Sequence, residues 1–168
     1  GATTVLEVGC GSGINLLLLR RLCSLSEQTR LSGFDYAINR VLTAEATVEH
    51  FDIDVENLFL ADARNIPVAD GSFDIVFSQY VIEQMAGTEE QVLDEMLRVS
   101  RIGVVMFESG LYGPTFNQRL FMRHSGYSTA LPEIARHRSD VTVERLENRR
   151  GDRFFGCPNI YIVLRKKP

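Results

Sequence analysis

The sequence predicts a doubly wound α/β fold, and three observations carry that prediction. Residues 4–8, Thr-Val-Leu-Glu-Val, are apolar or β-branched enough for a buried parallel strand. They run straight into glycines at alternate positions, Gly9, Gly11 and Gly13, and then into a helical run, Ile14 to Leu22. Beyond that point strand and helix patterns alternate regularly, which implies a parallel sheet with helices on both faces. A strand, a glycine turn and a helix in that order bring backbone N–H groups close to a ligand. A small carboxylate-bearing cofactor is therefore the first expectation.

Thr4–Val8 reads as the first strand and Gly13–Cys23 as the first helix. Arg30–Asp35 and Ala37–His50 form the next such pair, and Leu58–Ala61 is a short third strand. Phe73–Ser78 is the fourth, preceded by the turn Ala69-Asp-Gly-Ser72. Thr88–Val99 reads as a helix with apolar Val92, Leu93, Met96, Leu97 and Val99, and Thr88-Glu-Glu-Gln91 resembles a capping box. Ile102–Glu108 is the fifth strand. Residues 109–139 break the pattern with Gly110, Gly113, Pro114, Gly126 and Pro132, around a helix near Thr115–His124. Two strands follow, Val141–Leu146 and Asn159–Leu164, joined by a loop over Glu147–Pro158 that is long for a hairpin.

The 168 residues suit one domain with a substantial core. Apolar content of 45% and charged content of 24% are those of an ordinary globular protein, and no apolar run is long enough to span a bilayer. The three cysteines, Cys10, Cys23 and Cys157, are odd in number and widely spaced. That favours a reducing compartment over a disulfide framework. With no secretory signal, the expected location is the cytoplasm. No Cys-x-x-Cys motif or His/Cys cluster suggests a metal. The net charge of −4 conceals an asymmetry: residues 1–110 carry 7 basic and 17 acidic side chains, residues 111–168 carry 11 and 5. Such a split fits either a solvated basic face or an anionic partner near the C-terminal part.

The glycine spacing is G-x-G-x-G, whereas a nicotinamide-binding turn reads G-x-G-x-x-G. Glu7 precedes the first glycine by two positions. Asp35 ends the second strand, where a carboxylate can accept both hydroxyls of a ribose. Asp62 follows the third strand, where a carboxylate can accept from the exocyclic amine of adenine. Taken singly, each has a structural reading as well, since glycines turn chains and aspartates cap helices and turns.

In ordered blocks from Thr4 to about Glu108, the sequence resembles the class I S-adenosylmethionine-dependent methyltransferases. The blocks are E-V-G-C-G-S-G, F-D-Y after the second strand, A-D-A-R-N-I-P after the third, F-D-I-V-F-S-Q for the fourth, and L-D-E-M-L-R-V before the fifth. The resemblance implies a Rossmann-like, three-layer α/β/α domain over residues 1–168. Its seven-stranded sheet would have the order 3-2-1-4-5-7-6, mostly parallel, with the last strand antiparallel. It also implies S-adenosylmethionine as cofactor. Gly9, Cys10, Gly11 and Gly13 would floor its methionine part, and Glu7 would reach its ammonium. Asp35 would take the ribose hydroxyls, and Tyr36 would pack on adenine. Asp62 with Ala63 would meet the adenine edge, and Ser78 and Gln79 would face the methyl region.

Methyl transfer needs a general base only when the acceptor is protonated at neutral pH. The candidates are Glu83, in Gln79-Tyr-Val-Ile-Glu-Gln84, Glu108 at the end of the fifth strand, and His124 in the irregular segment. Family members acting on exocyclic amines of DNA bases carry N/D-P-P-Y/F after the fourth strand, but here the residues are Ser78-Gln-Tyr-Val81. Those acting at carbon-5 of cytosine use a cysteine after proline in that region, and Cys157-Pro158 is reversed and elsewhere. No aromatic-interleaved basic track marks a nucleic-acid surface. The expected acceptor is a small molecule methylated on oxygen, nitrogen or carbon. Arg119, Arg123, Arg149, Arg150 and Arg153 leave room for a phosphate or carboxylate on it. The alternatives are a non-catalytic cofactor-binding or assembly module, and an RNA or protein methyltransferase. Two departures stand out. The glycine pair common before the fifth strand is replaced by Arg98-Val-Ser-Arg-Ile-Gly103. The first strand also begins almost at residue 1, so the helices that usually cover the site are expected to be missing from this chain.

Overall fold

One sheet of seven strands organises the chain, in the order β3-β2-β1-β4-β5-β7-β6. The strands are β1 (Thr4–Val8), β2 (Arg30–Asp35), β3 (Asn57–Leu60), β4 (Phe73–Gln79), β5 (Ser100–Ser109), β6 (Val141–Phe154) and β7 (Cys157–Lys166). The helices are α1 (Ile14–Leu22), α2 (Ile38–His50), α3 (Glu89–Val99) and α4 (Leu131–His137), with a 3₁₀ turn at Ile82–Gln84. The computed structural model describes residues 2–109, 116, 117, 120, 124, 130–154 and 157–167; for 149–154, 157 and 158 it describes the backbone course alone. Strands β1 to β5 pair in parallel, and β7 pairs antiparallel with both β5 and β6. This is the expected topology.

The alternation of side chains along the strands assigns them to two cores. Leu6, Val8, Val76, Val104 and Met106 pack against Val92, Leu93, Met96 and Leu97 of α3 and Ala135 of α4. On the opposite face Val5, Leu31 and Phe77 pack against Leu16 of α1 and Ala44 of α2. The helices therefore form the two outer layers of a three-layer sandwich. No helix among the described residues is long and apolar enough to cross a membrane.

The C-terminal half departs from the pattern read in the sequence. The stretch read as the loop 147–158 is mostly strand: β6 and β7 pair at Glu147↔Tyr161, Asn148↔Ile160 and Arg149↔Asn159 and, after a shift of register, at Phe154↔Cys157. Backbone pairing decides here, where charged and glycine residues hid the strand. The segment read as irregular holds α4, with Pro132 in its first turn, a position where proline lacks nothing the helix needs. The helix read near Thr115–His124 lies largely outside the described residues. At α3 the Thr88 side chain makes no cap bond. It donates back to the Met85 carbonyl at 3.0 Å, while Glu89 accepts from the Gly87 N–H at 2.7 Å.

No loop separates α3 from β5: Val99 ends one and Ser100 begins the other. A bulge follows, with Phe73 opposite Ser100 but Ile75 opposite Gly103, so three residues of β5 span two of β4. Gly103 faces β7 so closely that a Cβ on it would stand 2.1 Å from the Leu164 carbonyl oxygen. That atom is backbone and cannot move aside without breaking the ladder. Gly103→Ala is expected to lower stability by about 3 kcal/mol, at the upper end of overpacking costs, as a shift in the urea unfolding midpoint.

Candidate functional site

A cleft of about 660 Å³ opens at the carboxyl ends of the parallel strands, beside the β1–β4 pair where the strand order reverses. That is where open α/β sheets bind ligands, and the volume suits a nucleoside-sized molecule. Its floor is the turn after β1. Gly9 (φ 66°) and Gly11 (φ 54°) both line the cleft in the left-handed region. A Cβ on Gly9 would lie 2.4 Å from a Val81 methyl, whereas one on Gly11 would meet nothing within 4 Å. Gly9 thus permits close packing under the site, and Gly11 leaves open space above the turn.

Cys10 and Gly13, expected to contribute their backbone to that floor, are not among the residues that line the cleft. The Cys10 N–H donates to the Phe34 carbonyl at 2.8 Å, and its buried side chain packs against Gly33. Burial pushes the thiol up to about 12, with the negative charges of Glu7 and Asp35 adding to the effect. Gly13 lets α1 approach Ala44 of α2.

The walls come from the other strand ends. Asp35, at the end of β2, accepts from the Gly11 N–H at 3.0 Å through Oδ2 and from the Ala37 N–H at 3.0 Å through Oδ1. It therefore braces the approach to α2 and ties it to the glycine turn. Tyr36 lines the cleft and is 74% exposed. Asp62 and Ala63 line the far wall. Asp62 accepts from the Arg64 backbone N–H at 2.9 Å and from its guanidinium, Nη2 to Oδ2 at 2.6 Å. The guanidinium beside it holds the Asp62 carboxyl below the usual range. Gln79, Tyr80 and Val81 close the near wall. Glu7 does not line the cleft: it is fully buried just before the turn, with Oε1 accepting from Asn15 Nδ2 at 2.7 Å and Oε2 without a partner among the described residues.

Three expected residues lie beneath the cleft. Ser78 is fully buried and donates to Glu108 Oε1 at 2.6 Å. Glu108 Oε2 accepts from the backbone N–H groups of Val81 at 2.9 Å and Glu83 at 3.2 Å. Glu83 in turn accepts from the backbone N–H of Ser109. The two carboxylates thus staple the turn after β4 to the end of β5, each holding the other's strand end. Burial pushes the Glu108 carboxyl up to about 7, against the bonds from Ser78 and the backbone. Neither lines the cleft. His124 is exposed and does not line it either.

A family model described as a methyltransferase domain matches residues 5–103, more than half of the chain and all of the cleft described above. The chain belongs to the methyltransferase domain family. A curated relative, an arsenite methyltransferase from Aquipseudomonas alcaligenes, is 26% identical over 115 residues, covering 64% of this chain and 32% of that protein. The chain thus spans about a third of that relative's length. Among solved structures, a SAM-dependent methyltransferase from Aquifex aeolicus shares 17% identity at a TM-score of 0.71, covering 98% of this chain and 82% of that one. The [4+2]-cyclase SpnF shares 17% identity at a TM-score of 0.75, covering 99% and 75%. At such identity both likenesses concern the fold.

The methyltransferase domain places further residues in its cleft that sequence reasoning did not single out: Arg40, Arg64, Tyr80, Gln84 and Met85. Tyr80 has φ 57°, an outlier for a bulky residue. Its N–H donates to the Phe107 carbonyl at 2.8 Å, and its hydroxyl accepts from Asn159 Nδ2 at 2.7 Å. A tyrosine following a strand rather than a glycine gave no sequence signal for a left-handed turn. Among the described residues, no group of three or more His, Cys, Asp or Glu could hold a metal ion.

Proposed function

We propose that this domain binds S-adenosylmethionine and transfers its methyl group to a small molecule bearing a phosphate or carboxylate. The observation that carries the cofactor is Asp35, fixed by two backbone N–H groups at the wall of the cleft, together with a glycine turn beneath which Glu7 is buried with its Oε2 unpartnered among the described residues. A ribose diol suits the first group and an ammonium the second. When bound, the cofactor supplies an activated methyl on a sulfonium, so the protein's task is orientation. Asp35 would hold the ribose. Glu7 would hold the ammonium, and the backbone of Gly9 and Gly11 would lie under the chain between them. Tyr36 and Ala63 would border adenine. Tyr80, whose hydroxyl is oriented by Asn159, would hold an oxygen of the acceptor.

The described carboxylates that line the cleft, Asp35 and Asp62, would both stand at the nucleoside end of the bound cofactor. An acceptor that is already a nucleophile at neutral pH fits this arrangement best. The basic C-terminal residues Arg119, Arg123, Arg149, Arg150 and Arg153 support an anionic acceptor, although the side chains of all five lie outside the described residues. The free thiols of Cys10 and Cys23 suit a reducing compartment such as the cytoplasm.

Calorimetry with S-adenosylhomocysteine tests the cofactor reading, and micromolar binding is the expected result. No heat of binding at millimolar ligand would sink it. Transfer of labelled methyl from S-adenosylmethionine to a pool of small organic acids and phosphates tests the acceptor. A second reading is a cofactor-binding module without catalysis, favoured by the commitment of Glu83 and Glu108 to backbone groups. It predicts binding without transfer to any pool.

A further inference from the structure

Among the described residues three buried side-chain atoms lack a hydrogen-bond partner: Glu7 Oε2, Arg20 Nε and Ser32 Oγ. Arg20 still donates through its terminal nitrogen to the Thr29 carbonyl at 2.6 Å, and Ser32 is a neutral hydroxyl. Glu7 is different. A fully buried carboxylate with one bare oxygen is not stable as an anion and needs a proton or a cation. The titratable groups facing it are Asp35 at the end of β2 and the Cys10 thiol in the turn, and both are acidic. From α1 it meets only the neutral amide of Asn15, at 2.7 Å from Oε1.

We infer that Asn15 is a positioning residue for the cationic end of the cofactor: it occupies one oxygen of Glu7, leaves the other to an incoming ammonium, and that ammonium enters in exchange for a proton. The inference rests on the cofactor reading above. In the empty site Glu7 is the neutral acid. As the ammonium docks, the O–H bond of Glu7 breaks, the proton leaves to solvent, and the electron pair stays on the carboxylate, which accepts an N–H bond. Burial pushes the Glu7 carboxyl up to about 8; the Asn15 bond opposes this and the Asp35 charge adds to it. The sign follows. Below about pH 8 the proton competes with the ligand, so affinity rises about tenfold per pH unit, and above it affinity levels off.

Calorimetry of S-adenosylhomocysteine binding to the whole chain, in two buffers of different ionisation enthalpy, counts the protons released. About one proton per ligand is expected near pH 6.5, with roughly tenfold tighter binding for each unit of pH up to the plateau. Glu7→Gln should bind more weakly, release no proton and show no pH slope. Asn15→Ala should move the plateau to higher pH, because the bond it removes holds the carboxyl down. 5′-Methylthioadenosine, which lacks the ammonium, should bind the wild type without releasing a proton. Binding of S-adenosylhomocysteine with no proton released, or a Glu7→Gln profile that keeps the wild-type slope, overturns the inference and leaves the cofactor reading standing. An Asn15→Ala protein with a lower melting temperature but the wild-type pH profile overturns the positioning role of Asn15. Absence of binding at every pH overturns the cofactor reading and this inference together.

Discussion

Asp35→Ala is expected to weaken S-adenosylhomocysteine binding by about 100-fold or more. The carboxylate is held from two sides, by the N–H of Gly11 and the N–H of Ala37, each at 3.0 Å. Those bonds use two of its roughly four acceptor sites and fix the direction of the rest. Two ribose hydroxyls would take the remaining sites. Each such bond to a charged acceptor contributes about 1.5 kcal/mol or more, and two together correspond to about 100-fold in affinity. The substitution also frees the glycine turn from the entry to α2, so the floor of the cleft would lose its anchor together with its ligand group. Titration calorimetry on a variant with unchanged circular dichroism checks this. An affinity within threefold of the wild type would show that Asp35 only braces the glycine turn and the approach to α2.

Glu108→Ala is expected to lower stability by about 4 kcal/mol, measured by denaturant unfolding. It removes the acceptor of three bonds, from Ser78 Oγ, the Val81 N–H and the Glu83 N–H. Each buried donor left without a partner costs about 1–3 kcal/mol, and a cavity adds to the sum. Glu108→Gln, which keeps the shape and one acceptor oxygen, should cost less than half as much. If Glu108 instead acted as a general base, Glu108→Gln would abolish transfer while leaving stability unchanged.

The fold and the glycine-turn end of the cleft were legible because they depend on local patterns. The strand at Thr4–Val8, the glycines at 9, 11 and 13, and the acid at Asp35 each sit where chain direction and spacing alone place them at strand ends. What could not be read is set by distant pairing. Glu108 and Ser78 both stand near the carboxyl ends of adjacent strands, so both looked like cleft residues. Only the register Ser78↔Met106 shows that they share the α3 face, below the cleft. Cys10 was read as floor through its backbone; its N–H is bonded to the Phe34 carbonyl and its side chain turns toward Gly33, pairings that sequence order does not show. Arg64 was invisible as a competitor for Asp62, since a two-residue offset becomes a bidentate contact only through the turn geometry after β3. The length of β6 was missed because its outer half is recognised by its partner strand and not by its own composition.

The direct junction of α3 and β5 has a consequence for how such chains can vary in length. Insertions and deletions between elements are normally absorbed by loops. Between Val99 and Ser100 there is none, and the extra residue sits inside the strand, opposite Phe73–Ile75. Because side chains alternate along a strand, one residue fewer in 100–103 would exchange the two faces of everything after it. Phe107, now stacked on Tyr161, would turn under α3, and Glu108 would be carried through the sheet, away from Ser78 and the turn it holds. A single codon at this junction therefore decides whether the near wall of the cleft is anchored at all.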